Sequence, residues 1–217
     1  SLLDGAMLTH QPATTTQVFS LQMTVMETLS ISATAKIDVS GRGYLGGYTN
    51  GNTTTGGATG SAGGSYGGLG HLGNATDSRV NRVYGISQYP NEPGSGGGPW
   101  PTGSGNPGGG LAQIQAETAI INGSILADGQ IGWPPSYPGS SGGGIYLSVA
   151  SLSGSGLITA QGGNAYEASE CRGGSGGGGR VAIYYTTLQG FDPATQAQAH
   201  GGSSINTSAA AGTVYIT

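Results

Sequence analysis

The chain has 217 residues, one-domain length, but 46 are Gly, 10 are Pro and only 7% are charged, against roughly a quarter in ordinary soluble domains. A formal net charge of −4 and a single lysine, Lys36, leave no basic patch to neutralise phosphates, which excludes nucleic acid as a partner. Apolar runs fall far short of the roughly 20 residues a membrane span requires, so no membrane insertion is expected, and Cys171, the one cysteine, can close no internal disulfide.

Residues 1–18 read as an N-terminal extension. Strand signals begin at Leu21, Met23 and Val25, where apolar residues alternate with polar ones, the period of a half-buried strand. Leu29 and Ile31 mark a middle strand, and Ile37-Asp38-Val39-Ser40-Gly41 a second phrase ending in polar residue and Gly. Residues 42–110 form a long Gly/Ser/Tyr-rich insertion with little to build a core.

The first phrase then returns at Ala112, Ile114 and Ala116, at Ile145, Leu147 and Val149, at Val181, Ile183 and Tyr185, and at Val214 and Ile216. The second returns at Ile125 to Gly129, Ile158 to Gly162 and Ala197 to Gly201. Glycine richness alone does not place apolar residues at alternate positions, so residues 111–217 form true repeats of about three dozen residues. A middle extended piece such as Leu152 to Gly156 falls between the two phrases. Helical periodicity is nearly absent, and Ala194 to Ala199 fits the repeat as strand. One such unit cannot bury its apolar face alone, whereas stacked units can. The expected fold is all-β: a single domain over 1–217, a parallel right-handed β-helix or solenoid of about four rungs carrying the insertion. Its last strand, Gly212 to Thr217, has no polar cap after it in this sequence, and an open strand edge is a template for another chain.

The string GGGIYLSVASLSGSGLITAQGGNA from Gly142 to Ala165, with GGSGGGGRVAIYY from Gly173, KIDVSGRGYLGG from Lys36 and GGSYGGLG from Gly63, resembles the glycine-rich β-helical repeat regions of large secreted or surface-attached prokaryotic proteins. The resemblance covers about residues 20–217. It implies an extracellular, adhesive or structural role on a right-handed β-helical core, and little about any reaction.

Patterns that would carry catalysis mostly dissolve. Gly103 to Gly108 and Gly174 to Gly179 match G-x-G-x-x-G, but neither lies between a strand and a helix, as a dinucleotide site requires. Gly63 to Gly67, Gly139 to Gly143 and Gly173 to Gly177 match G-x-S-x-G without the strand-to-helix turn of a nucleophile elbow. The ten acids are scattered; Asp38 and Asp128, in equivalent phrases, can approach if their strands are neighbours, as can Glu27 and Glu117. His10, His71 and His200 lack metal-ligand spacing. No catalytic residue, cofactor or metal is expected. Tyr44, Tyr48, Tyr66, Tyr84 and Tyr89, with Trp100 and Trp133, offer either contacts between copies or a platform for sugars. Asn52, Asn74, Asn122 and Asn206 begin N-x-[ST] sequons and are glycan acceptor candidates.

The sequence therefore points to an extracellular, non-enzymatic structural subunit of a filament, sheath or surface layer, with copies of itself as partners. Val214, Tyr215 and Ile216 would meet Leu21, Met23 and Val25, assisted by Tyr44, Tyr48 and Tyr66. A monomeric adhesin domain binding surface glycans is the alternative; a β-helical polysaccharide lyase or an ice-binding protein stands lower.

Overall fold

Period-two residues become strands where the alternation is cleanest, in a computed structural model that describes residues 1–100, 105–133, 138–168, 171–204 and 207–217. In chain order these are β1 (Met7–Leu8), β2 (Leu21–Ile31), β3 (Lys36–Asp38), β4 (Leu111–Ile121), β5 (Ser124–Leu126), β6 (Gly144–Ser153) and β7 (Leu157–Thr159). After them come β8 (Glu167–Ala168), β9 (Cys171–Arg172), β10 (Arg180–Tyr184), β11 (Thr187–Gln189), β12 (Ala197–Gln198) and β13 (Thr213–Ile216). A four-residue helix, α1 (Pro193–Gln196), precedes β12; Asp192 caps it and Pro193 sits in its first turn, so the stretch expected as strand is split between helix and strand. The middle strands merge with the first phrase. Leu29 and Ile31 share β2 with Leu21, across a register shift between Val25 and Thr28, and Leu152 lies within β6.

The strands form two separate parallel sheets. One runs β1-β3-β5-β7-β12, the other β13-β10-β6-β4-β2 with β11 also against β6, while β8 and β9 make a small antiparallel ribbon. Register stacks like on like: Ala112, Ile145, Val181 and Val214 form one ladder, Ile114, Leu147, Ile183 and Ile216 a second, and Ile37, Ile125, Ile158 and Ala197 a third on the smaller sheet. The inner members of these ladders are fully buried in one core.

This arrangement corrects the expected right-handed β-helix of about four rungs: among the described residues the strands form no closed coil but two parallel sheets of five and six strands beside the small ribbon. The physical reason lies in the glycine segments, which replace the strands that would close one. Parallel strands usually owe their order to helical crossovers; here glycine-rich backbone intervenes. Its amides do not run along a single ladder. Gly139 and Gly142 donate to Gly174 and Gly177, Ser140 and Gly143 to Gln130 and Ala127, and Ser141 and Gly144 to Ser95 and Gly110. In the first two pairs donors three residues apart address the same neighbouring segment, the period of a polyproline II helix, which makes no internal hydrogen bonds and must find partners outside itself. Gly174 and Gly177 repeat the pattern towards Ser61 and Gly64, and Gly176 and Gly179 towards Gly163 and Ala160.

Only glycine lets such backbones approach on every side. A Cβ on Gly63, Gly142 or Gly176 would overlap the carbonyl oxygen of Ser175, Ala160 or Ser140 respectively. The insertion, residues 42–110, is built into this lattice: Gly43 donates to Gly108, Tyr44 to Gly94, Gly64 to Gly139 and Gly67 to Gly178. Buried Asn81 locks it, accepting from the Ser65 amide at 2.7 Å and donating to Ser65 O at 2.8 Å and to Ser95 Oγ at 3.1 Å.

Candidate functional site: the outer face and the edges of the large sheet

Because side chains alternate, fixing one set inward fixes the other outward. Strand register aligns the central part of the outward set of the large sheet into two rows, Gln22, Gln113, Tyr146, Ala182 and Tyr215, and beside it Thr24, Gln115, Ser148 and Tyr184, with Arg180 on the same face one step before them, buried against Tyr84 O. Not one side chain in the two rows is charged.

Four rings make a continuous run over this face. Tyr89 meets Tyr146 edge-on, with centroids 4.9 Å apart, Tyr146 meets Tyr184 at 5.5 Å, and Tyr184 meets Tyr215 at 5.7 Å. The turn that carries Tyr89 is held above the sheet by the Tyr184 hydroxyl, which donates to Gln88 O at 2.9 Å, and by Gln113 Nε2, which donates to Pro90 O at 3.1 Å. Between turn and sheet lies a hollow of about 230 Å³ walled by Gln22, Thr24, Gln113, Gln115, Tyr89 and Tyr146. It adjoins one of about 300 Å³ through Gln22, Tyr89 and Gln113, and one of about 510 Å³ through Thr24 and Gln115. Together they form a groove running along the strands.

The edges of the sheets are the second feature. Among the described strands β13 pairs only with β10, β2 only with β4, and β1 and β12 stand at the ends of the smaller sheet; the last residues of β2 are also covered by Leu2, which bridges Ile31. Thr213 and Thr217 donate to Gly179 and Ile183, so in a parallel ladder the amides of Val214 and Ile216 face away from β10. Val214 is 38% and Ile216 37% exposed, while Val181 and Ile183, one strand inward, are fully buried. At the opposite edge Leu21, Met23 and Val25 are half-buried.

Val214, Tyr215 and Ile216 thus lie on one edge and Leu21, Met23 and Val25 on the other. Tyr44 and Tyr66 do not join them. They are 2% and 0% exposed, clustered around Tyr84, with the Arg180 guanidinium 5.3 Å from the Tyr66 ring centre. Burial and the adjacent Glu92 carboxylate push the Tyr44 pKa up, so its hydroxyl stays protonated and donates to Glu92 at 2.6 Å. These rings brace the insertion and are off the surface; Tyr48 is half-buried. Asn52 is partly buried at φ +52°, donating to Thr14 O, whereas Asn122 and Asn74 are exposed and Asn206 lies outside the described residues.

The two acids of the repeated phrase have separate partners. Asp38 is raised by burial, but the Lys36 ammonium at 2.7 Å and the Ser40 amide outweigh that and hold it below its ordinary value. Asp128 is raised, by burial first and with a smaller contribution from the Asp38 charge, and it accepts from the Gln161 amide and Thr159 Oγ1. Among the described residues no group of three or more His, Cys, Asp or Glu could hold a metal ion, and no helix is long and apolar enough to cross a membrane. A hollow of about 570 Å³ in the insertion, beside Arg79 and Arg82, has no carboxylate in its walls.

Apart from Tyr215, the outward rows are residues to which sequence reasoning gave no role. Their signal was present: once Ala112, Ile114 and Ala116 are assigned inward, Gln113 and Gln115 must face out. Comparison with known proteins adds no relative, since no protein-family profile, curated protein or solved structure matches the chain.

Proposed function

We propose that this chain is a non-catalytic structural subunit that works outside the cell and associates with copies of itself, edge to edge, into an extended assembly. One observation carries the reading. Apart from the bridge between Leu2 and Ile31, both sheets are open at the same two ends, β13 and β12 at one and β2 and β1 at the other, so a second copy placed in line would continue both sheets at once. The open edge offers unpaired backbone groups together with half-exposed apolar side chains, the combination that recruits another strand. A contact between two different surfaces does not close on itself and generates a fibre unless the rotation between copies makes a ring. The low charge of the chain leaves little repulsion to oppose stacking.

Light scattering coupled to size-exclusion chromatography, with negative-stain microscopy, tests this. Mass should rise with concentration and particles should elongate along one axis. Val214→Pro removes an outward amide while sparing those of Thr213 and Thr217, and Ile216→Lys puts charge on the same edge; either should return the protein to a single copy. Monomeric parent protein at every concentration refutes the proposal.

A further inference from the structure

The groove lies over the outer face of the large sheet, with one side on the edge strand β2, and carries its own inference. We propose that it binds an uncharged oligosaccharide chain laid along the strands, with sugar rings against the tyrosines and hydroxyls on the glutamine amides.

The chemistry of the walls selects that occupant. The two hollows nearest the strand centres contain no Asp, Glu, Lys or Arg, and Glu92, at the far end of the third, is already tied to the Tyr44 hydroxyl. Anionic and cationic ligands therefore find no counter-charge. A lipid finds no continuous apolar wall, because the glutamine and threonine side chains of the central hollow separate the apolar residues of the outer two, Val25, Met26 and Val149 in one and Val18, Phe19 and Leu111 in the other. An extended peptide needs a row of free backbone groups, and those of β4 and β6 on the floor of the groove are spent in the ladders to their neighbours. A neutral sugar has what the groove lacks: C–H faces for rings such as Tyr89 and Tyr146, and hydroxyls around its rim. Each carboxamide offers two donors and an acceptor carbonyl to such hydroxyls. Among the described residues the amides of Gln22 and Gln115 make no hydrogen bond, whereas Gln113 is already oriented by Pro90.

Shape and rigidity agree with this. From the level of Ser20 to that of Met26 the three connected hollows follow the strands for about 20 Å at strand rise, the proportions of a chain of several sugars. The rings are fixed before any ligand arrives, through their contacts with one another and the Tyr184 bond to Gln88, so little side-chain freedom is lost on binding. Copies joined at the sheet edges would leave this face open and set successive grooves side by side.

The experiment is titration calorimetry with neutral gluco-, xylo-, manno-, galacto- and chito-oligosaccharides of increasing length, with sulfated and carboxylated oligosaccharides alongside. At least one neutral series should bind, tightening with length until the groove is filled and changing little between low and high salt. Tyr146→Ala should weaken it ~10-fold or more, and Tyr146→Phe should retain it. Gln115→Ala, at an exposed position where folding is not at stake, should also weaken it. Binding to the charged series alone, absence of binding to every neutral series, or binding indifferent to Tyr146→Ala and Gln115→Ala would each overturn the assignment. None of these outcomes depends on whether the chain associates with itself.

Discussion

Replacing Gly176 by Ala tests the glycine lattice at its centre. Gly176 donates to Gly163 O at 2.9 Å and accepts from the Gly202 amide at 2.8 Å, and a Cβ there would overlap Ser140 O and lie 2.9 Å from the Ser141 amide nitrogen. All of these neighbours are backbone, so no flexible side chain can swing aside. Forcing a methyl into a packed site costs about 1 to 3 kcal/mol, and displacing the segment forfeits two net hydrogen bonds of about 1 kcal/mol each. The sum is about 4 kcal/mol, a large share of the 5 to 15 kcal/mol that holds a typical domain. At about 2 to 4 °C per kcal/mol for a chain of this size, the melting temperature followed by circular dichroism should fall by about 8 to 16 °C. Gly190→Ala is the control, because Gly190 has φ +74° and open space around its missing Cβ; its cost is conformational alone, about 1 to 2 kcal/mol. If Gly176→Ala melted no lower than Gly190→Ala, steric exclusion in the lattice would be the wrong account of its glycines.

Five further substitutions test other parts of the same structure. Asn81→Ala should cost about 2 to 3 kcal/mol by urea denaturation, since it strands the buried Ser65 amide and carbonyl, whereas Ser175→Ala should be neutral or stabilising, because the enclosed Ser175 Oγ has no hydrogen-bond partner among the described residues. Burial raises Asp128 above its ordinary 3.8, so its contribution is full below 3.8 and lost as pH rises through the raised value; Asp128→Asn should remove that fall. Asp38 is held below 3.8, so its contribution is full above 3.8 and lost as pH falls through the lowered value; Asp38→Asn should change the acid limb of the stability curve in the opposite sense. Val214→Pro should abolish association while leaving the melting temperature within about 3 °C, because β13 loses no bond to β10.

The apolar ladders were legible in the sequence because burial on one sheet face writes itself as alternation, and Ile145, Val181 and Val214 fall in register as their spacing implies. The glycine lattice was not. A threefold backbone period has no side chains to mark it, so a search for periods of 2 and 3.6 reads residues 42–110 as loop, and the middle strands expected as separate elements are continuations of β2 and β6. The burial of Tyr44 and Tyr66 was equally hidden, since it depends on Glu92 and Arg180, which chain order keeps far away. The groove lay between: its residues are the complement of the ladders, but only the 88–90 turn, folded back above Tyr146, turns a flat row into walls.

A layer made of bare main chain has an evolutionary consequence. Ordinary cores drift, trading Leu for Ile or Met while volume is kept; a glycine in this lattice has no equivalent to trade for, so nearly every substitution there should be purged. Change is left to the outward rows and exposed loops, where an amide, hydroxyl or ring can be exchanged without moving a neighbour. A framework that cannot vary beneath a surface that can is well suited to acquiring new ligands without relearning how to fold.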